Sequence, residues 1–92
     1  MLHGGNKPYL DEIVSNKSFL RKFYVDQEDE EFSWHRDKND RLIKVISGEG
    51  WKFQHDNSLP FILSEGDKVS IKKNEWHRII KGKSDLIIMI YE

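Results

Sequence analysis

The chain is short, nearly neutral and free of cysteine. Its 92 residues are enough for one domain, and 15 basic against 16 acidic residues give a formal net charge of −1, so no large basic surface is predicted to hold a phosphate backbone. The absence of cysteine excludes disulfides, thiolate-bound zinc and a thiol nucleophile. We therefore expect no nucleic-acid partner, and any metal must be held by His, Asp, Glu or water.

The beginning of the chain predicts a short extension before the main domain. Residues 1–6 lack the charged-then-apolar pattern of a signal peptide, and the longest apolar run, Leu86–Tyr91, is only as long as a strand. We therefore expect a soluble, cytoplasmic protein with no membrane partner. The segment Pro8–Asn16 predicts one short helix or turn within an extension over residues 1–18. The domain itself is predicted over residues 19–92.

After the extension, the apolar residues alternate with period two, which is typical of half-buried strands. Turn-forming Gly, Asp, Asn and Ser residues separate the runs. Eight short strands with frequent turns predict a sandwich or a closed barrel. The predicted strands are Phe19–Val25, Glu31–His35, Arg41–Ile46, Trp51–His55, Phe61–Leu63, Lys68–Lys72, Trp76–Lys81 and Leu86–Tyr91. The last of them reads as a buried terminal strand.

One tripeptide occurs twice, as Trp34-His35-Arg36 and as Trp76-His77-Arg78. Because successive side chains of a strand point to opposite faces, each histidine lies opposite its own Trp and Arg. If both histidines point inward, two imidazoles meet inside a small barrel, which is the beginning of a metal site. If the tryptophans fill the core instead, both histidines face solvent. The tripeptides alone leave both interpretations open.

The residues around the first histidine resemble the first cupin motif. In that motif, His-x-His is followed after three or four residues by Glu and after six more by Gly. The same register here holds His35, Asp37, Arg41 and Gly48. Asp37 thus stands where the second histidine belongs, and Arg41 stands where the glutamate belongs.

The residues before the second histidine resemble the second cupin motif. That motif runs Gly, five residues, Pro-x-Gly, two residues, His, three residues and Asn, and the register here holds Gly66, Lys72, Asn74, His77 and Lys81 without gaps. Asparagine tolerates the left-handed backbone conformation that the motif's second glycine usually supplies. The resemblance covers about residues 31–92. It implies an all-β fold, a single cupin-type jelly-roll β-barrel.

The resemblance also implies a metal site with an altered ligand set. The family offers three histidines and a glutamate, of which this chain keeps His35 and His77. Asp37 shares a strand face with His35, because one residue separates them. These three residues form a two-His-one-carboxylate set with open coordination positions. Such a set suits a single Fe(II), with Mn(II), Ni(II) and Zn(II) as alternatives.

Arg41 and Gln54 are the candidate ligand-binding residues. By alternation, Arg41 faces the same lumen as Asp37. It either pairs with that carboxylate, which uses up the ligand and repels a cation, or it binds the carboxylate of an incoming acid. Gln54 is a polar contact to a ligand if its face of the strand lines the barrel. His55, beside a turn, is predicted to be exposed.

Three function classes follow from these residues. The first is a small metal-dependent enzyme, an isomerase, lyase or dioxygenase that acts on a small polar acid or sugar. The second is a non-catalytic module that binds a small molecule, and the third is a structural or accessory dimer whose metal site has decayed. With the histidines inside, Phe32, Trp34 and Trp76 face outward and leave an apolar patch. This patch predicts a homodimer.

Overall fold

The computed structural model describes residues 9–92. Within this range the chain is all-β, and none of the described residues belongs to a helix that is long and apolar enough to cross a membrane. The eight strands of the described range are β1 (Tyr9–Ser15), β2 (Ser18–Phe23), β3 (Arg41–Ser47), β4 (Lys52–His55), β5 (Phe61–Ile62), β6 (Lys68–Ile71), β7 (His77–Ile80) and β8 (Leu86–Tyr91).

The strands form two antiparallel sheets. The larger sheet has the order β1-β2-β8-β3-β6, and the smaller sheet has the order β5-β4-β7. Strand β8 lies in the middle of the larger sheet, between β2 and β3, and its alternate residues Leu86, Ile88 and Ile90 are buried. The prediction of a buried terminal strand is therefore confirmed.

The core lies between the sheets and is built from alternate residues of β2, β3, β4, β6, β7 and β8. Ile43 and Val45 of β3 are buried, while Trp51 and Phe53 fill the core from the other sheet. The indole Nε1 of Trp51 donates a hydrogen bond to the carbonyl of Ser84, which satisfies the polar atom of a fully buried ring. Because Phe53 points inward, its neighbour Gln54 points outward.

Residues 9–15 form strand β1, so the prediction of a helix there is wrong. A two-residue turn at Asn16 and Lys17 joins β1 to β2, and the two strands pair in register with Asp11 opposite Arg21. Tyr, Ile and Val in this segment favour strands, and the free edge of β2 offers backbone partners that an isolated short helix lacks. Pro8 lies outside the described residues. The predicted domain boundary after residue 18 falls within β2.

Residues 31–35 do not form the predicted strand. A 3-10 turn occupies Glu30–Phe32, with the backbone N–H of Phe32 bonded to the carbonyl of Asp29. The turn interrupts the alternation and directs Phe32 inward, where its ring lies 6.0 Å from that of Phe23 and 5.7 Å from that of Trp51. The prediction that Phe32 faces outward is therefore wrong. The remaining predicted strands are present, with ends within two residues of those expected.

Candidate metal site

His35 and His77 face each other across an isolated antiparallel bridge. Each residue donates its backbone N–H to the carbonyl of the other, at 3.0 and 2.9 Å. In such a pair the two side chains lie on the same face, and the ring centroids are 4.2 Å apart. His77 is 2% exposed, and its ring stacks on the core residue Phe53. Both imidazoles therefore lie on the inner face, which is one of the two arrangements that the tripeptides left open.

The two histidines are held in the same way by their Nδ1 atoms. The Nδ1–H of His35 donates to the carbonyl of Ser33 at 2.9 Å, and that of His77 donates to the carbonyl of Glu75 at 2.8 Å. Because a carbonyl only accepts hydrogen bonds, each Nδ1 carries the proton. Each Nε2 then offers a lone pair when the ring is neutral. This is the arrangement by which proteins fix a metal-binding histidine in the required tautomer.

Two carboxylates approach the two Nε2 atoms. An oxygen of Glu31 lies 2.7 Å from His35 Nε2, and an oxygen of Asp37 lies 3.2 Å from His77 Nε2. The ligand atoms of Glu31, His35 and His77 all lie within 4.8 Å of one another. Glu31 was predicted as the first residue of a strand and was not among the predicted ligands. Its carboxyl group, four residues before His35, was the available signal in the sequence.

Two of these inner polar atoms lack a well-directed hydrogen bond. Within the described part of the chain, His35 Nε2 and Asp37 Oδ2 are buried yet have no hydrogen-bond partner of acceptable angle. Buried polar atoms that are left without a partner are costly. Two imidazole nitrogens and two carboxylates form a donor set that suits Fe(II), Mn(II), Ni(II) or Zn(II).

Arg41 lies beside the site but makes its shorter ion pair elsewhere. Its Nε donates to Glu92 at 2.8 Å, whereas its terminal nitrogen lies 3.5 Å from Asp37. The sequence alone leaves open whether Arg41 pairs with the Asp37 carboxylate. Arg41 and Asp37 lack the close bidentate geometry of a full arginine–carboxylate pair. Asp37 therefore keeps a lone pair that can bind another partner.

Arg21 occupies the corresponding position beside Glu31. Although it is 7% exposed, it binds Asp11 of the neighbouring strand through two hydrogen bonds of 2.8 and 3.1 Å. A third contact joins Arg21 to Glu31 at 3.6 Å. On both sides of the site, therefore, an arginine is anchored by an outer carboxylate and is only loosely paired with the inner one.

These contacts shift the pKa values of the inner groups. Burial by itself raises the pKa of Glu31, but the contact with His35 and the positive charges of His35 and Arg21 outweigh it and hold that pKa below its usual value. Burial by itself lowers the pKa of His35, and the contact with Glu31 reverses this and raises it. The contact with His77 lowers the pKa of Asp37 against the effect of its burial, and Arg41 adds to the lowering. Both carboxylates are therefore ionised at neutral pH.

A small cavity adjoins the site inside the barrel. It encloses about 20 Å³, which is room for about one water molecule. Its polar walls are Arg21, Glu31, Asp37, Arg41 and His77, and its apolar walls are Phe23, Ile43, Phe53, Ile71, Ile79, Ile88 and Ile90. This cavity therefore has no room for a ligand larger than a water molecule.

Two other predicted residues lie away from this cavity. Gln54 accepts a hydrogen bond from Arg78 at 2.7 Å and donates one to the carbonyl of Ser58, so it does not meet the inner residues. His55 is half-buried rather than exposed, and its Nδ1 lies 2.6 Å from a carboxylate oxygen of Glu75. The predicted exposure of His55 is therefore wrong, because Glu75 on the neighbouring turn covers part of its ring.

Comparison with known proteins gives no match to a family model and none to a curated protein. Solved structures do match. A cupin-2 domain protein from Shewanella frigidimarina has a TM-score of 0.66 at 22% identity, over 95% of this chain and 82% of that one. A cupin domain from Bordetella pertussis has a TM-score of 0.60 at 14% identity, over 91% of this chain and 88% of that one.

The chain has the cupin fold. A third match belongs to the crystal structures of the DMSP lyases RdDddP and RnDddQII, with a TM-score of 0.67 at 16% identity. It covers 79% of this chain but 35% of that one, so this chain spans about a third of the lyase chain. At these identities the matches show the cupin barrel and leave the chemistry to the residues of the site.

Proposed function

We propose that this cupin binds one divalent transition metal through His35, His77 and the carboxylate of Glu31, with Asp37 beside His77. The observation that carries the proposal is the convergence of three ligand atoms within 4.8 Å of one another. Two neutral imidazoles and two carboxylates together carry a charge that balances a divalent cation. A two-His-one-carboxylate set leaves coordination positions open for a further ligand.

The proposed activity is that of a small metal-dependent enzyme that acts on a small polar acid or sugar. The metal would act as a Lewis acid or activate a bound water. The position of Arg41 favours an acidic substrate, because its guanidinium lies beside the site and can bind a carboxylate. Since the cavity inside the barrel has room for about one water molecule, the substrate would contact the site from outside and only a water-sized group would enter.

A non-catalytic role as a ligand-binding or accessory cupin is the second candidate. The 3.5 Å contact between Arg41 and Asp37 supports it, because a cation next to the site weakens metal binding. The small size of the cavity supports it as well. Under this alternative the chain binds little or no metal. The polar cluster around the two histidines then stabilises the barrel.

Metal analysis of protein purified without an affinity tag tests the proposal. We expect about one Fe(II), Mn(II), Ni(II) or Zn(II) per chain after incubation and desalting, and a loss of roughly 100-fold or more in affinity for His77→Ala, since a ligand is removed. His55→Ala is the matched control, because His55 pairs with His77 across β4 and β7 but is no ligand. Wild-type protein that retains none of the four metals would refute the proposal.

A further inference from the structure

The two Trp-His-Arg tripeptides pair with each other around the histidine bridge. The guanidinium of Arg78 lies 4.9 Å from the centroid of the Trp34 ring, and that of Arg36 lies 5.0 Å from the centroid of the Trp76 ring. Both distances are within the range of a cation–π interaction. The outer face thus carries two such pairs, one on each side of the bridge, while the imidazoles occupy the inner face. We call these four residues the Trp-Arg ladder.

The backbone alone holds the His35 side of this region weakly. His77 begins β7 and pairs with His55 of β4, whereas His35 belongs to no strand and its bridge to His77 is isolated. The nearby backbone bonds run from the N–H of Asn74 to the carbonyl of Asp37, at 2.7 Å, and from the N–H of Asp56 to the carbonyl of Trp76, at 2.9 Å. A single bridged pair leaves some freedom of twist, and cross-strand side-chain pairs are what normally remove that freedom. The Trp-Arg ladder supplies two of them.

We infer that the Trp-Arg ladder positions the two imidazoles of the metal site, an inference that rests on the proposed function. Each ladder residue is the immediate chain neighbour of a histidine. A change in twist that separated the inner rings would also separate a tryptophan on the outer face from its guanidinium. The outer pairs therefore fix the 4.2 Å separation of the imidazole centroids, although no ladder residue touches the metal.

Gln54 also contacts the ladder, in a role that the sequence alone did not indicate. The side-chain oxygen of Gln54 accepts a bond from Arg78 Nε at 2.7 Å, which holds that guanidinium over the Trp34 ring. Arg36 has no such second contact among the hydrogen bonds and ion pairs of the described residues. Arg36 and Trp76 are therefore the cleaner pair to test.

The test is a double-mutant cycle on metal affinity. We expect Arg36→Met and Trp76→Leu each to weaken Ni(II) or Zn(II) binding about tenfold, as outer-shell changes do, and to alter the visible spectrum of the Co(II)-loaded protein. Because the two residues act as a pair, the double variant should bind about as weakly as either single variant. Arg36→Met combined with Trp34→Leu should multiply the two losses, since these residues belong to different pairs. The conservative changes Arg36→Lys and Trp76→Phe should restore most of the affinity.

Lys22→Met is the matched control, because it removes a cation–π contact with Tyr24 that involves no histidine or carboxylate of the site, and it should leave metal affinity unchanged. An unaltered affinity and Co(II) spectrum in Arg36→Met, or multiplied losses in the Arg36 and Trp76 cycle, would overturn the inference. If the wild-type protein binds no metal, the proposed function fails. The ladder is then judged by the nuclear Overhauser effect between the two imidazoles, whose persistence in Arg36→Met refutes the inference and whose loss supports it.

Discussion

At the scale of single residues, the candidate site is decided by where two carboxylates lie. Asp37 was the expected third ligand, because it takes the place of a cupin histidine. Glu31 instead completes the group whose atoms lie within 4.8 Å, while Asp37 contacts His77. The 3-10 turn at Glu30–Phe32 brings Glu31 to the histidines. Strand alternation does not predict that turn.

Glu31→Gln should therefore weaken metal binding more than Asp37→Asn. We expect roughly a 100-fold loss for Glu31→Gln, which removes a charged ligand, and about a tenfold loss for Asp37→Asn, which removes a neighbouring charge. Calorimetric titration with Ni(II) and Zn(II) measures both. The reverse order would restore the set of His35, Asp37 and His77, and equal losses would indicate that both carboxylates bind the metal.

Arg41 should oppose the metal, and Glu92 should moderate that effect. Arg41→Met removes a positive charge near Asp37 and should tighten metal binding by a factor of about 2–10. Glu92→Gln removes the 2.8 Å partner of Arg41 and frees the guanidinium to approach Asp37, which should weaken binding. The double variant should behave like Arg41→Met alone. Weaker binding by Arg41→Met would show instead that Arg41 supports the site.

At the scale of elements, the turn between β6 and β7 links backbone conformation to the site. Asn74 adopts a positive φ of 64°, so the prediction that asparagine replaces the motif's glycine there is confirmed. Its backbone N–H holds the carbonyl of Asp37 at 2.7 Å. This turn therefore attaches the chain segment that contains Asp37 to the strand that contains His77.

Asn74→Gly should be nearly neutral for stability, whereas Asn74→Ala should lower the free energy of unfolding by about 1 kcal/mol, because a Cβ without a polar group is disfavoured at positive φ. Urea denaturation of the metal-free protein measures both changes. Asn57→Ala is the matched control, since Asn57 has a φ of 57° in a different turn. Asn57→Ala should lower the free energy of unfolding by a similar amount but leave metal affinity unchanged. Equal stability of the alanine and glycine variants at residue 74 would contradict this account.

At the scale of the whole molecule, metal binding should raise stability. A ligand that binds only the folded state at 100 times its dissociation constant contributes about 2.7 kcal/mol, and for a domain of this size the Tm should rise by roughly 10–20 °C. Differential scanning fluorimetry with and without Zn(II) or Ni(II) measures the shift. His77→Ala should show none of it, while His55→Ala should show all of it. A shift of equal size in His77→Ala would indicate binding elsewhere.

The predicted homodimer has two candidate interfaces, both of them exposed apolar surfaces. Trp34 and Trp76 are each 42% exposed, and the edge strand β1 exposes Leu10, Ile13 and Val14 at 59, 76 and 53%. An edge strand has unpaired backbone groups and is a ready site for a second strand. Phe32 is no longer part of the predicted interface, because its ring packs against the core.

We expect light scattering to give the mass of a dimer at high micromolar concentration, with a total interface above about 1,000 Å². Ile13→Lys should weaken association if β1 is the interface, and Trp34→Glu should weaken it if the Trp-Arg ladder is. Metal affinity has to be measured in parallel, because Trp34 is also a ladder residue. A monomer at the same concentration would contradict the prediction.

The sequence by itself determined the architecture of this protein. Alternating apolar residues and frequent turn-formers specified seven of the eight strands of the described range, because period two is a local property of the chain that needs no knowledge of its partners. The spacing of Gly66, Asn74 and His77 likewise indicated the cupin fold, and the repeated tripeptide directed attention to both inner imidazoles. These signals depend on residues that are close in sequence. They remain detectable although Arg41 and Lys72 replace the family's usual residues.

Only the tertiary structure decided which groups meet. The segment of β1 became a strand because β2 had a free edge, and Phe32 turned inward because Phe23 and Trp51 left space for its ring. Arg41 forms its shorter ion pair with Glu92, 51 residues away in sequence, and not with Asp37. Such choices depend on contacts between distant parts of the chain, whose energies are comparable to local propensities. No local pattern records them.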